Sequence, residues 1–192
     1  RRAGKRQIDG KDFKGIMFKI YLISFFLIVL GCSQKAIDPR IDTFEKVLGA
    51  KETKVVNSLV KDFEENLHKI YPEISTEKGY RKYLEEMISP NTTNWDKFKF
   101  QTKKTNYDFH KSGLWNEIYV KDNGSLDINQ TGKYIQALYA IKDSDPLIKK
   151  YIEKRAVAGM MKNEIVVRGI LSSNPDFTNY FHKRIVVLEF SF

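Results

Sequence analysis

Three histidines are the first residues of this 192-residue chain to test for chemistry: His68, His110 and His182. They lie far apart in sequence, and none has the HExxH or HxxxH spacing that places two metal ligands on one helical face. We expect His68 and His182 on solvated faces of helices. The sequence also lacks a Gly-rich phosphate loop and a nucleophile elbow. It therefore predicts no metal site, no cofactor and no catalytic residue.

The segment 107–117 brings acid–base residue types and aromatic rings into a short span. Asp108, His110, Ser112 and Glu117 include the types needed for general acid–base catalysis. Because the members of a catalytic triad usually come from separate elements, the favoured interpretation is a packing cluster at the start of a helix. An envelope hydrolase with a site around His110 is the alternative. It requires a carboxylate from another helix within hydrogen-bond distance of this histidine.

A basic and aromatic stretch occupies residues 95–111. Rings interleaved with lysines suit an anionic lipid headgroup or an anionic glycan. The competing interpretation is that the rings face the core and the lysines face solvent. The sequence places the candidate binding surface on or just after this stretch, at Trp95, Lys97, Lys99, Lys103, Lys104, His110 and Trp115.

The sole cysteine, Cys32, ends an apolar run. Lys19 precedes the apolar residues 20–30, and the small residue Gly31 follows them. A positive start, a short apolar stretch and a small residue at the cleavage point characterise a secretory signal peptide. As a helix, the 12 uncharged residues of 20–31 span about 18 Å, against about 30 Å of hydrocarbon. A transmembrane helix is therefore the weaker interpretation.

The motif Val29-Leu30-Gly31-Cys32 resembles the lipobox of bacterial lipoproteins. The resemblance implies cleavage before Cys32, a diacylglycerol thioether on its sulfur and often a further acyl chain, such as palmitate, on its amine. Ser33 in place of aspartate, with no acidic run after it, implies an outer-membrane anchor and a domain that faces the periplasm. The composition loosely resembles that of uncharacterised Bacteroidetes-type envelope lipoproteins. The other interpretation of Cys32 is an ordinary buried thiol.

Residues 1–31 are thus expected to be removed, with 1–16 upstream of the true start at Met17. Residues 32–40 are expected to form a lipidated tether, and 41–192 a single domain. Seven basic and two acidic residues lie within 1–31, so more than half of the net charge of +9 belongs to the removed part. The remaining charge is mild and interspersed, which argues against a nucleic-acid partner.

Apolar residues at three- and four-residue spacing predict an all-α, mainly helical domain with six or seven helices in a compact bundle. The strongest pattern covers 52–70, and a long helix is predicted from Pro146 through Ile170. A short β element near 97–101 or 185–190 is an alternative, and helix is the favoured interpretation of 185–190. The function that these features favour is a membrane-anchored envelope module without enzymatic activity, whose partners are the membrane and an envelope protein.

Overall fold

The computed structural model describes residues 38–89, 94–122 and 124–190. The α-helices in these ranges are α1 (Pro39–Leu48), α2 (Ala50–Ile70), α3 (Thr76–Met87), α4 (Lys103–Ser112), α5 (Leu114–Ile118), α6 (Lys133–Tyr139), α7 (Pro146–Ala158), α8 (Asn163–Leu171) and α9 (Tyr180–Phe190). Short 3-10 helices lie at Trp95–Phe98 and Lys142–Ser144. The prediction of a mainly helical fold is confirmed, with nine α-helices in the described ranges where the sequence indicated six or seven.

The core is built around α9, which packs against α2 and α7. Within α9, Phe181 and the residues 185–187 are 0% exposed and Leu188 is 1% exposed. Because the four consecutive residues 185–188 point to all sides of the helix, this part of α9 is enclosed by other elements. Further pairs complete the domain: α1 on α6, α2 on α3 and α4, and α3 on α8.

The helix predicted from Pro146 through Ile170 is in fact two helices. α7 ends at Ala158, and Gly159 has φ +56°, in the region that favours glycine. A Cβ at Gly159 would lie 2.8 Å from Oδ1 of Asp127. The same oxygen accepts a hydrogen bond from the N–H of Met160 at 2.8 Å. Close approach of the hairpin therefore ends α7, and α8 starts after the turn.

The short β element is a hairpin at 119–128, where the sequence had suggested 97–101 or 185–190. Strand β1 (Tyr119–Asp122) pairs antiparallel with β2 (Ser125–Ile128). Asn-Gly is a strong hairpin-turn signal, the sequence has Asn123-Gly124 between the strands, and Gly124 has φ +83°. Residues 185–190 belong to α9, which confirms the favoured helical interpretation, and the β-prone residues 185–188 are buried there.

Burial raises the pKa of seven tyrosines above the ordinary value, with desolvation as the largest cause in each case: Tyr71, Tyr80, Tyr83, Tyr119, Tyr134, Tyr151 and Tyr180. The pKa of Tyr119 rises to about 12. Its hydroxyl donates a hydrogen bond to the carbonyl oxygen of Leu188 at 3.0 Å. These neutral hydroxyls therefore belong to the core of the domain.

Candidate functional site: an aromatic cleft beside Trp95

The segment 94–102 is held against α2 by polar contacts at both ends. Asn94 caps the 3-10 helix by accepting the N–H of Asp96 at 3.1 Å. The amide of Asn66 donates to the carbonyl oxygen of Lys97 at 3.0 Å, and Asp62 accepts the N–H of Thr102 at 3.2 Å. Side chains of α2 thus fix the backbone of a segment that has only one short helical turn of its own.

A half-buried ion pair joins the same segment to α3. Lys97 Nζ lies 2.5 Å from Glu86 Oε2, and the Tyr71 hydroxyl donates to Glu86 Oε1 at 2.6 Å. Burial opposes ionisation of Glu86, but the hydrogen bonds from Lys97 and Tyr71 outweigh it, so the pKa of this carboxyl is lowered. The positive charge of Lys97 is therefore balanced by Glu86, and the pair holds the segment against α3.

Between α3, the 3-10 helix and the end of α9 lies an open cleft of about 550 Å³. Its lining is mainly aromatic and apolar, with Lys99, Gln101 and Asn163 as polar members: Tyr83, Met87, Trp95, Phe98, Lys99, Phe100, Gln101, Asn163 and Phe190. The Phe98 ring packs edge-on against Tyr83 at 4.8 Å and is 8% exposed. Trp95 lies 6.1 Å from Phe98 and is 43% exposed. A rigid aromatic floor thus carries an exposed indole at its side.

Of the predicted surface residues, Trp95 and Lys99 line this cleft. Lys99 pairs with Asp96 at 2.6 Å, and this hydrogen bond raises the pKa of the lysine and lowers that of the aspartate. Lys104 likewise pairs with Asp108 along α4. Three of the five lysines in 95–111 therefore already have a carboxylate partner. The stretch does not form a continuous uncompensated cationic face.

Lys103, Lys104, His110 and Trp115 lie on α4 and α5 instead of lining the cleft. His110 is exposed, and its ring lies 5.6 Å from that of Trp115. Within the described residues, no carboxylate lies within ion-pair distance of His110. The acid–base set required by the hydrolase alternative is thus not assembled in this part of the chain.

Sequence reasoning misplaced His182, which is 7% exposed and not on a solvated face. Its Nδ1 lies 3.0 Å from the backbone nitrogen of Asp176, and its Nε2 lies 3.1 Å from Asp145 Oδ2. Asp145 also caps α7 by accepting the N–H of Leu147 at 3.0 Å. Both ring nitrogens are occupied, so this His–Asp pair acts as a structural brace. The sequence signal for it was Asp145-Pro146, a helix start.

His68 is exposed on α2, as expected. The proposed lipidation residue, Cys32, lies outside the described residues. In the part of the chain that the structure describes, no helix is both long and apolar enough to cross a membrane. The same ranges contain no group of three or more His, Cys, Asp or Glu side chains suited to holding a metal ion.

Comparisons with known proteins add no family to these observations. The chain matches no protein-family model, no curated protein and no solved structure.

Proposed function

We propose that this chain is a lipid-anchored domain of the bacterial cell envelope that binds an envelope protein through the aromatic cleft beside Trp95. The observation that carries the binding role is the exposure of this indole, 43%, at the side of a cleft whose other rings are packed in place. Tryptophan and tyrosine supply much of the energy of protein interfaces at little entropic cost. The partner is expected to insert an apolar or aromatic side chain between Trp95 and Phe98.

Charge at the cleft also favours a protein partner over an anionic lipid or glycan. Lys99 is balanced by Asp96, and Lys97 by Glu86, so the cleft offers little net positive charge. An interface with an aromatic centre and paired charges at its rim is typical of protein–protein recognition. Binding through the cleft should consequently depend only weakly on salt.

Photo-crosslinking in intact cells tests the binding role. A benzophenone amino acid replaces Lys99, whose side chain is 81% exposed at the cleft, or Lys104, whose side chain is 82% exposed on α4. We expect a specific protein adduct at position 99 alone. Trp95→Ala should abolish that adduct without lowering the melting temperature. Equal capture at both positions, or capture that survives Trp95→Ala, would contradict a role for the cleft.

The anchor is supported by the sequence motif at Val29-Leu30-Gly31-Cys32 and is tested separately. Cys32→Ser should prevent labelling by a fatty-acid analogue and release the protein from membranes in high salt, where charge contributes little to binding. Lipidated protein should fractionate with the outer membrane, since Ser33 follows the cysteine. Unchanged membrane association of Cys32→Ser that also persists in about 1 M salt would show that residues 18–31 are retained as a membrane segment.

A further inference from the structure

The outer side of α7 and the turn into α8 expose large apolar side chains beside lysines. Val157 is 90% exposed, Ile165 52% and Met160 42%. Val157 and Ile165 border a shallow depression whose charged lining residues are Lys150, Glu153 and Lys154. We refer to the following residues as the α7–α8 patch: Lys150, Lys154, Val157, Met160, Lys162 and Ile165. No other described stretch of nine residues exposes three large apolar side chains.

The patch is held in place by the fold. Asp127 accepts the N–H of Met160, and the buried Arg155 donates from Nη1 to the carbonyl oxygen of Gly159 at 2.8 Å. Asp127 itself is fixed in the hairpin, where it pairs with Val120. Exposure of Met160 therefore follows from a fixed turn.

Charge along this surface is predominantly positive. Between residues 149 and 168, the exposed side chains include five basic and two acidic groups. Two of the basic groups have carboxylate partners, Lys149 with Asp143 and Arg168 with Glu164. The other three are Lys150, Lys154 and Lys162, and none has a carboxylate within ion-pair distance among the described residues. Exposed apolar groups next to uncompensated lysines suit an anionic bilayer surface.

The described chain begins close to this same helix. Arg40 pairs with Asp38 at 2.6 Å, donates to the Ser144 carbonyl oxygen at 3.2 Å, and lies 3.9 Å from the α7 cap Asp145. Residue 38 therefore lies beside the first turn of α7. The six residue-to-residue steps from Cys32 to Asp38 span at most about 20 Å. The 13 residues of α7 span about 20 Å as well. A lipid on Cys32 would thus keep all of α7 within reach of the bilayer.

We propose that the α7–α8 patch binds the anionic bilayer surface to which the lipid on Cys32 attaches the chain, an inference that rests on the proposed anchor. The apolar side chains enter the headgroup boundary, and the lysine stems lie on the surface with their ammonium groups at the phosphates. Asn163, next to the patch, also lines the aromatic cleft. Bound in this way, the domain presents the cleft to its partner close to the membrane.

The full lipidated chain in vesicles provides the test, because acylation of the sole cysteine leaves an introduced one as the only free thiol. Val157→Cys carries a nitroxide label in the patch, and Tyr107→Cys carries the control label on α4, where Tyr107 is 59% exposed. In vesicles of phosphatidylglycerol and phosphatidylcholine, we expect the label at 157 to be open to oxygen and shielded from a water-soluble nickel relaxant. The label at 107 should show the reverse.

The role of the lysine charges is tested with the double variant Lys150→Gln, Lys154→Gln. Each glutamine retains most of the aliphatic part of the lysine side chain that it replaces. In the Cys32→Ser background, where the lipid does not contribute, each lysine removed should weaken vesicle binding about fivefold. Binding should also weaken as salt shortens the screening length from about 10 Å at 0.1 M to about 3 Å at 1 M. No change in binding on removal of both lysines, or equal shielding in phosphatidylcholine alone, would overturn the proposal.

Equal relaxation at 157 and 107 would also overturn it, as would shielding that appears only when envelope proteins are added. Failure of the anchor gives a different result. Parent and Cys32→Ser chains would then float equally with vesicles, and Cys32 would react with maleimide. The label at 157 in the Cys32→Ser background would still report on the patch. If neither chain floats, both proposals are overturned.

Discussion

Breaking the ion pair between Arg155 and Glu189 should destabilise the domain more than any change at its surface. The Arg155 side chain is 0% exposed and that of Glu189 is 6% exposed, and their charged groups are in contact. The Tyr151 hydroxyl donates to Glu189 Oε2 at 2.6 Å. This cluster joins the end of α7 to the end of α9 in the middle of the core.

The magnitude follows from the charge that would remain. Removing one member of a buried pair leaves the other charged and unpaired, at a cost of about 3–5 kcal/mol. A domain of this size has a total free energy of unfolding of about 5–15 kcal/mol. We therefore expect Arg155→Met or Glu189→Leu to remove at least roughly a fifth of the stability. In the double variant no buried charge is left, so its loss should not exceed that of either single variant.

Urea unfolding followed by circular dichroism measures these differences. Arg168→Ala is the matched control, because Arg168 is exposed and pairs with Glu164 one helical turn away at 2.9 Å. Such a pair contributes about 0.3–0.5 kcal/mol. A loss at Arg155 no larger than that at Arg168 would refute the reasoning. A double variant as costly as the two single variants combined would refute it as well.

Three further predictions concern the turn, a helix cap and the buried tyrosines. Gly159→Ala should lower the free energy of unfolding by about 1–2 kcal/mol, because the left-handed backbone at this position strains any side chain. Gly169→Ala, within α8, should instead raise the free energy of unfolding by about 0.5–1 kcal/mol. Thermal unfolding distinguishes the two outcomes. Asp145→Ala removes a helix cap and the partner of His182, so it should lower the free energy of unfolding by about 2 kcal/mol. Asp143→Ala, at an exposed position, should change the free energy of unfolding by no more than about 0.5 kcal/mol. If urea unfolding showed the larger loss for Asp143→Ala, the brace would be contradicted. The seven tyrosines named above have raised pKa values in the folded state. Their contribution to stability is therefore complete below about pH 10 and is lost as the pH rises. A tyrosinate absorbance titration should show them ionising together with unfolding, and full ionisation while the protein stays folded would contradict their burial.

Local patterns in the sequence were enough to predict most of the helices. The apolar spacing in 52–70 matches α2 because burial of one stripe needs only the helical period. Pro146 after Asp145 correctly marked the start of α7. The prediction failed at Gly159, where tertiary contact decides, because the hairpin lies against this residue and the helix ends there.

The features of the candidate site also fall into two groups: those that the sequence shows and those that depend on the tertiary structure. The sequence by itself determined the mainly helical class, the aromatic and basic character of 95–111, and the motif ending at Cys32 that predicts the anchor, because each is written in consecutive residues. Only the tertiary structure decided that Trp95 faces an open cleft while Lys97 is neutralised by Glu86. It also decided that His182 is buried against Asp145. These outcomes depend on which side chains from distant segments meet, and burial and charge pairing act between residues that the sequence keeps far apart.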